Sequence, residues 1–244
     1  MTTRYSAKAL VFKKTDINES DRVFSAFTEE FGRLDINAKA IRKIASKLKG
    51  GIDIFSLSEI EFIQGKNRKT LTDTVVAERF SEVKQNIEKL QTANNIAGLL
   101  DDFIKGEEKD INIFDLIKDV FYKLNDEKLN SKKSFLVYYY FLWNLLSVLG
   151  YHPEVSKCNE CSQKLNQENI YFSNKIGGAI CAECASLTSD AKKINSDIVK
   201  ILRLFLQKNW QIISRLRIDL TSQKIFQEVS DKYYSYVLSG TKTL

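Results

Sequence analysis

The chain has 244 residues, 37 lysines and arginines against 31 acids, a net charge of +6 and 43% hydrophobic residues. One proline and ten glycines exclude a low-complexity or disordered chain, and the length suggests one to three domains with a proper core. The longest apolar run, Phe135 to Leu149, falls short of the about 20 residues a bilayer needs, and Met1 to Tyr5 lacks a signal-peptide core, so a cytoplasmic protein with no membrane contact is expected.

Residues 5–80 read as strands. Tyr5 to Phe12 is short, apolar and bounded by Lys13-Lys14, and Arg22 to Thr28 offers two half-buried faces. Phe31-Gly32-Arg33 looks like a hairpin corner leading to Leu34, Ile36 and Ala38. Ile52 to Gln64 and Lys69 to Val76 flank the turn residues Gly65-Lys66-Asn67. Five short strands predict a small closed barrel, and the pattern alone fits an OB-fold or another small barrel. Between the third and fourth strands, Lys39, Arg42, Lys43, Lys47 and Lys49 fall in a segment with no acid. If it is helical, Lys39, Lys43 and Lys47 share one stripe. A cationic segment on a barrel rim suits phosphate groups, against the alternative of a flexible solvated loop.

From residue 81 the apolar period becomes helical. Ile87, Leu90, Ala97, Leu100 and Ile104 mark one helix, and Ile113, Ile117, Val120, Phe121 and Leu124 a second. Lys133 to Leu149 is apolar nearly all round, which places it at the centre of a bundle with Gly150 as its stop. Its aromatics read as core rather than as base-stacking groups. Ser196 is the expected N-cap of a helix from Asp197 to Lys208, and Ser222 to Leu238 forms the last helix.

Between these helices lie all four cysteines, as Cys158-Asn159-Glu160-Cys161 and Cys181-Ala182-Glu183-Cys184. Two CxxC knuckles at this separation predict a tetrahedral zinc site. Two disulfides are the alternative, and nothing marks the chain as secreted. Four sulfur ligands leave no place for water, so the zinc is expected to hold a fold and not to do chemistry. The intervening segment is long enough for a hairpin, with Gly177-Gly178 turning between Ile170-Tyr171-Phe172 and Ala179-Ile180. The expected domains are a barrel at 1–80, a first helical part at 81–150, a cysteine module at 151–187 and a second helical part at 188–244. The module then inserts into one helical domain.

Charge is uneven: residues 1–80 carry a net +4, 81–190 a net −4 and 191–244 a net +6. Lys192, Lys193, Lys200, Arg203, Lys208, Arg215 and Arg217 form the second basic region. Two basic stretches around an acidic middle suggest an anionic partner touched at two places. No catalytic constellation is visible, and no enzyme is expected. The only histidine, His152, sits beside the only proline, Pro153, and reads as a turn residue. Asp101-Asp102 and Glu107-Glu108 read as solvated helix ends, no glycine-rich phosphate loop is present, and two matched CxxC pairs fit metal better than redox work.

The string Glu19-Ser20-Asp21-Arg22, followed by Phe27-Thr28-Glu29-Glu30-Phe31-Gly32-Arg33-Leu34, Ala38-Lys39 and Leu48-Lys49-Gly50, resembles the N-terminal domain of the RecO family of bacterial DNA repair proteins. Leu149-Gly150-Tyr151 and the two cysteine pairs resemble the later part of that family. The resemblance implies an α+β fold: an N-terminal five-stranded OB-fold barrel, then an α-helical domain with an inserted four-cysteine zinc module. It implies a recombination mediator, at the nucleoid, that binds single- and double-stranded DNA and anneals complementary strands. RecR and the acidic C-terminal tail of the single-strand binding protein SSB are its implied partners, and it helps RecA to load. By position, Lys39, Arg42, Lys43, Lys47 and Lys49 become DNA contacts, helped by Arg203, Arg215 and Arg217. The chain departs from the family where Ala40 replaces a usual glycine, Asp53-Ile54 a usual Gln-Pro, and Tyr139-Tyr140 a frequent arginine. Two other classes compete: a zinc-ribbon OB-fold RNA-binding or transcription accessory protein, and a metal-dependent nuclease. The nuclease is disfavoured by the closed cysteine set and the lack of paired carboxylates.

Overall fold

The computed structural model describes residues 3–241. The chain divides into two compact units, Met1–Val137 and Tyr138–Leu244. In the first, β1 (Arg4–Asp16), β2 (Arg22–Thr28), β3 (Gly32–Ala38), β4 (Ser56–Gln64) and β5 (Lys69–Glu78) close into a barrel in the order β1-β2-β3-β5-β4. β1 is long enough to pair with two partners. Arg4 to Val11 run antiparallel to β4, and Ala9 to Asp16 to β2, with a bulge between Val11 and Lys13. β3 meets β5 in parallel at Ile36↔Lys69 and Asn37↔Thr70. That Greek-key closure is the OB-fold, which the strand pattern alone left open.

The strand period of two fills the barrel. Phe24, Ala26, Leu34, Ile36, Ile60 and Phe62 are among the side chains packed inside. β1 runs past Lys13-Lys14, where it was expected to stop, because these lysines find acids: Lys13 pairs with Asp101, and Lys14 with Asp53 at 2.9 Å. β4 begins at Ser56 rather than Ile52, since the chain before it turns through Phe55 at φ +52°. At the β2–β3 corner Gly32 has φ +68°, and a Cβ there would lie 2.0 Å from the Glu108 carbonyl oxygen, so only glycine fits.

Three helices share this unit: α1 (Ser81–Gln85), α2 (Ile87–Phe103) and α3 (Ile111–Asn125). Asn86 caps α2 and Asp110 caps α3, each side chain accepting two backbone N–H groups. α3 buries the face read from sequence. α2 does so only in part. Its buried side holds Lys89, Thr92, Ala93, Ile96, Leu99 and Leu100, while Ile87, one residue past the cap, is 72% exposed. Phe55 and Phe80 meet Phe121 of α3 with ring centres 5.6 and 5.5 Å apart, which makes a second apolar layer outside the barrel. These three helices fall in the same compact unit as the barrel.

α4 (Ser134–Val148) leads into the second unit, followed by β6 (Ile170–Ser173), β7 (Gly178–Cys181), α5 (Ala182–Ser186), β8 (Lys192–Ile194), α6 (Ser196–Leu206), α7 (Trp210–Ile213) and α8 (Leu220–Thr241). Trp143 of α4 stacks on Tyr233 of α8 at 5.2 Å, and its Nε1 donates to Ser230 Oγ at 3.0 Å. Phe205 of α6 stacks on Phe226 of α8 at 5.4 Å. Tyr139 and Tyr140 are buried here, so α4 is core as expected. The cap of α6 is Asn195 and not Ser196; its Oδ1 accepts from the Ile198 amide at 3.0 Å. No helix among the described residues is long and apolar enough to cross a membrane.

Candidate metal centre and nucleic-acid interface

β6, β7 and β8 form a three-stranded sheet in the order β7-β6-β8. The expected hairpin is present, with its turn at residues 174–177 and Gly178 already in β7. Gly178 is there for a different reason: the Glu154 backbone approaches so closely that a Cβ would lie 2.4 Å from its carbonyl oxygen. β8, which the sequence did not signal, adds the far edge, so the cysteine module extends past residue 187 to Ile194. Phe172 of β6 sits edge-on to Tyr233 at 5.6 Å, seating the module on the aromatic core of its own unit.

The module brings all four cysteines together. Ser162, at φ +62°, closes the first knuckle by donating its N–H to the Cys158 carbonyl at 2.9 Å. The short helix α5 begins after Cys181 and places Cys184 one turn on. All four Sγ atoms lie within 4.8 Å of one another, and none is in a disulfide. Cys161 and Cys181 Sγ are 3.8 Å apart. This is the spacing that metal–sulfur bonds of about 2.3 Å impose on the corners of a tetrahedron. The protons tell the same story. Burial pushes the Cys158 thiol up, but the backbone N–H groups of Cys161, Cys181 and Glu160 outweigh it and hold the thiol at about 6. Cys184 is pushed up by its hydrogen bond to Cys181, and Cys161 is raised despite the Gln163 N–H. Four thiolates this close repel one another unless a cation balances them. The cluster could hold a metal ion.

The barrel carries two concave surfaces. One, about 330 Å³, is lined by Arg22, Phe24, Ile41, Arg42, Lys49, Ile52, Asp53 and Arg79. Phe24, Ile41 and Ile52 are buried and form its floor, and four cations stand around it. Asp53 is already engaged by Lys14 at 2.9 Å and Lys84 at 3.3 Å. Arg22 Nε donates to Asp16 at 2.6 Å, Arg42 Nη1 to the Asn18 carbonyl at 2.8 Å, and Arg79 Nη2 to the Gly50 carbonyl at 2.8 Å. These bonds fix the directions of the guanidinium groups.

The segment from Lys39 is not an α-helix. It runs through turns to a 3-10 turn at Lys47–Gly50, so the stripe of Lys39, Lys43 and Lys47 does not form. The cause is local. Ala40 adopts φ +53°, its N–H donates to Asp21 Oδ1 at 2.7 Å, and the Arg42 N–H donates to the Ser20 carbonyl at 3.0 Å. The loop is thereby tied to the β1–β2 turn. Lys39, Lys43 and Lys47 are exposed but do not line the cleft, whereas Arg42 and Lys49 do. Arg22 and Arg79 complete the ring and were not among the expected contacts. Arg22 lies in the string that carries the family resemblance, which was the available signal.

The second surface, about 400 Å³, lies outside the barrel along β3, between Ile17 of the β1–β2 turn and Asn67 and Arg68 of the β4–β5 turn. Arg33, Asp35 and Asn37 of β3 line it, alternating with the buried Leu34, Ile36 and Ala38. Arg33 donates to the Ile104 carbonyl and to Asp101 Oδ1, both at 2.7 Å. Asp101 is therefore a paired anchor and not a solvated helix end. Burial pushes its carboxyl up, but hydrogen bonds from Lys13 and Arg33 prevail and hold it below the usual range.

In the second unit the three arginines part company. Arg203 donates through Nε and Nη2 to the Val155 carbonyl at 3.1 and 2.6 Å. Arg215 and Arg217 are exposed beside Ile212 and Leu216 in a shallow depression.

Comparison with known proteins accords with this architecture. Residues 1–80 match the family described as Recombination protein O N terminal, and residues 84–243 match Recombination protein O C terminal. A DNA repair protein RecO from Dehalococcoides mccartyi is 31% identical over 215 residues, which is 88% of this chain and 83% of that protein. One from Caldanaerobacter subterraneus subsp. tengcongensis is 26% identical over 92% of this chain and 87% of its own length, and one from Desulfitobacterium hafniense 27% over 96% and 85%. With both halves matched in order and the barrel, helices and cysteine cluster in place, the chain belongs to the RecO family of DNA repair proteins.

Proposed function

We propose that this chain is a non-catalytic recombination mediator that binds single- and double-stranded DNA and anneals complementary strands. In this reading it works with RecR and the SSB C-terminal tail and helps RecA to load. The observation that carries the DNA-binding part is the ring of Arg22, Arg42, Lys49 and Arg79 around one cleft, whose lining acid, Asp53, is already paired with Lys14 and Lys84, while Asp16 offsets part of the charge of Arg22 and Arg42. Cations whose directions are fixed suit phosphates, and each phosphate bound releases counterions. Lys39, Lys43 and Lys47 extend the same field along the exposed loop, and Arg215 and Arg217 offer a second basic patch. Arg203 is better suited to hold the cysteine module, since it is half-buried and both its Nε and its Nη2 are bound to the Val155 carbonyl. Annealing would run downhill on base pairing, with no nucleotide to hydrolyse.

We also infer that the metal is zinc, held by Cys158, Cys161, Cys181 and Cys184. Bound there, it supplies structural cross-linking through a closed sulfur shell. The function is tested by fluorescence-quench annealing of two complementary oligonucleotides at low salt. A protein-dependent rate above the spontaneous one, insensitive to ATP and slowed by moderate salt, is expected. A rate equal to the spontaneous one at every protein concentration removes the mediator reading. The partner assignments are tested by pull-down of RecR and of a fluorescent SSB-tail peptide.

A further inference from the structure

Ile44 is 98% exposed, more than any other large apolar side chain among the described residues. It stands in the basic loop after β3, on a turn closed by the Ser46 N–H donating to the Lys43 carbonyl at 3.1 Å, so Ile44 and Ala45 are the two central residues. The turn belongs to a hydrogen-bonded series: the Lys43 N–H donates to the Ala40 carbonyl and the Gly51 N–H to the Leu48 carbonyl, both at 3.1 Å. Ile41 is buried in the barrel core and Leu48 packs against that core, which pins the loop on both sides of its tip. Turn tips ordinarily take Gly, Asn, Asp, Ser or Pro, whose backbones or short polar side chains favour the turn. A β-branched isoleucine gains nothing there and leaves its apolar surface in water. Its neighbours along the loop are Lys39, Arg42, Lys43, Lys47 and Lys49, and no acid stands between Lys39 and Ile52. What covers such a tip has to be polyanionic and has to accept one aliphatic side chain. A protein partner needs about 800 Å² of surface a side with an apolar centre, and one isoleucine among lysines does not supply that. A DNA duplex meets both demands. Phosphates line it, and the gap between two base pairs admits an aliphatic wedge that unstacks them and kinks the helix.

We propose that Ile44 inserts between adjacent base pairs of a duplex held by the loop lysines, and that it unstacks and kinks the DNA at that step. The inference rests on the DNA-binding reading above and goes beyond it. The lysines hold any duplex, whereas the cost of unstacking makes the loop prefer steps that open easily, such as TA. A preference for deformable sequence then arises with no hydrogen bond to a base edge. The ordered turn is needed for this, because a wedge on a slack loop swings aside instead of pressing into the stack.

The test is a duplex with one central TA step carrying a fluorescent adenine analogue that stacking quenches, titrated with the full chain at fixed salt. Saturating wild-type chain should raise the fluorescence about twofold or more, and energy transfer between dyes on the duplex ends should rise as the helix kinks. Ile44→Ala should abolish both signals and weaken binding to this duplex about three- to tenfold, with the salt slope unchanged because the phosphates keep all their cations. Ile44→Met, long enough to wedge, should restore the signals. Both variants should unfold in urea at the wild-type midpoint, since the side chain is exposed. A duplex with an A-tract in place of the TA step should bind the wild type about as weakly as the TA duplex binds Ile44→Ala. A wild-type chain that binds the duplex without raising the fluorescence, or an Ile44→Ala variant that raises it as much as the wild type, overturns this inference and leaves DNA binding intact. Capture of the wild type but not of Ile44→Ala by vesicles of anionic phospholipid, with no fluorescence rise on DNA, overturns it in favour of a membrane surface. A wild-type chain that binds no DNA overturns the DNA-binding reading itself.

Discussion

The carboxylate of Asp21 accepts the backbone N–H of Ala40 at 2.7 Å, and Ala40 turns there through the left-handed region at φ +53°. This one hydrogen bond launches the cationic loop from the end of β3 and aims Arg42 toward the cleft. At this φ an alanine Cβ is strained where glycine is not.

Replacing Ala40 by glycine should therefore stabilise the chain by about 0.5–1 kcal/mol, despite the extra freedom glycine gives the unfolded state. The midpoint of urea unfolding measures it, and DNA affinity should not change. A lower midpoint would mean that the left-handed turn is not strained.

The same hydrogen bond makes the loop sensitive to acid. The Ala40 N–H, then the Asn18 side chain, hold the Asp21 carboxyl below its usual range, and Arg22 does the same for Asp16. A lowered folded-state value means that the stabilisation is present above the ordinary carboxylate value near about 3.9 and is lost as pH falls through the folded one. The thermal midpoint of the wild type should drop below about pH 4 more steeply than that of Asp21→Ala. Parallel curves would show that Asp21 does not contribute.

The purified chain should contain one zinc ion, counted by elemental analysis. Cys181→Ser should lose it and loosen the second unit, with far-ultraviolet and fluorescence changes, while residues 4–78 keep their barrel. Two disulfides in place of metal, detected by thiol titration, would contradict the assignment.

Lys49→Ala with Arg79→Ala should weaken DNA binding and reduce the slope of log K against log salt by about 0.7–0.9 for each phosphate no longer neutralised. Lys39→Ala with Lys43→Ala, outside the cleft, should reduce it less. An unchanged slope in the first double variant would remove the cleft from the DNA path.

Arg203→Ala should act on stability rather than on DNA. The substitution leaves the Val155 carbonyl without its charged donor, which costs about 1–3 kcal/mol. Denaturant unfolding and the rate of metal loss to a chelator should both show it, with the salt slope for DNA unchanged.

The sequence showed the two things that repeat or cluster. Period-two alternation located the five strands, and the paired CxxC knuckles named the four candidate metal ligands. It could not show which way the barrel closes, because the β3–β5 pairing joins residues 33 apart at Ile36↔Lys69 and leaves no local mark. The phase of α2 was read only in part, at Leu100 and Ile104, for a related reason: the cap at Asn86 sets where the helix starts, and its buried side includes Lys89 and Thr92, which no hydrophobic count selects. The cationic ring was half visible. Arg42 and Lys49 belong to a dense basic run, whereas Arg22 and Arg79 lie far from it in the chain and meet it only through the fold.

The barrel closes late in the order of synthesis. A chain emerging from the ribosome can form β1, β2 and β3 as an open meander, but β4 must arrive before the second edge of β1 is covered, and β5 before β3 is. Arg79, the residue after β5, is the last member of the cationic ring to be made. An unfinished chain thus carries the basic loop without the cleft that organises it. A nascent or truncated product ending before β5 should bind DNA only loosely, and an incomplete copy would not occupy the sites that whole molecules need.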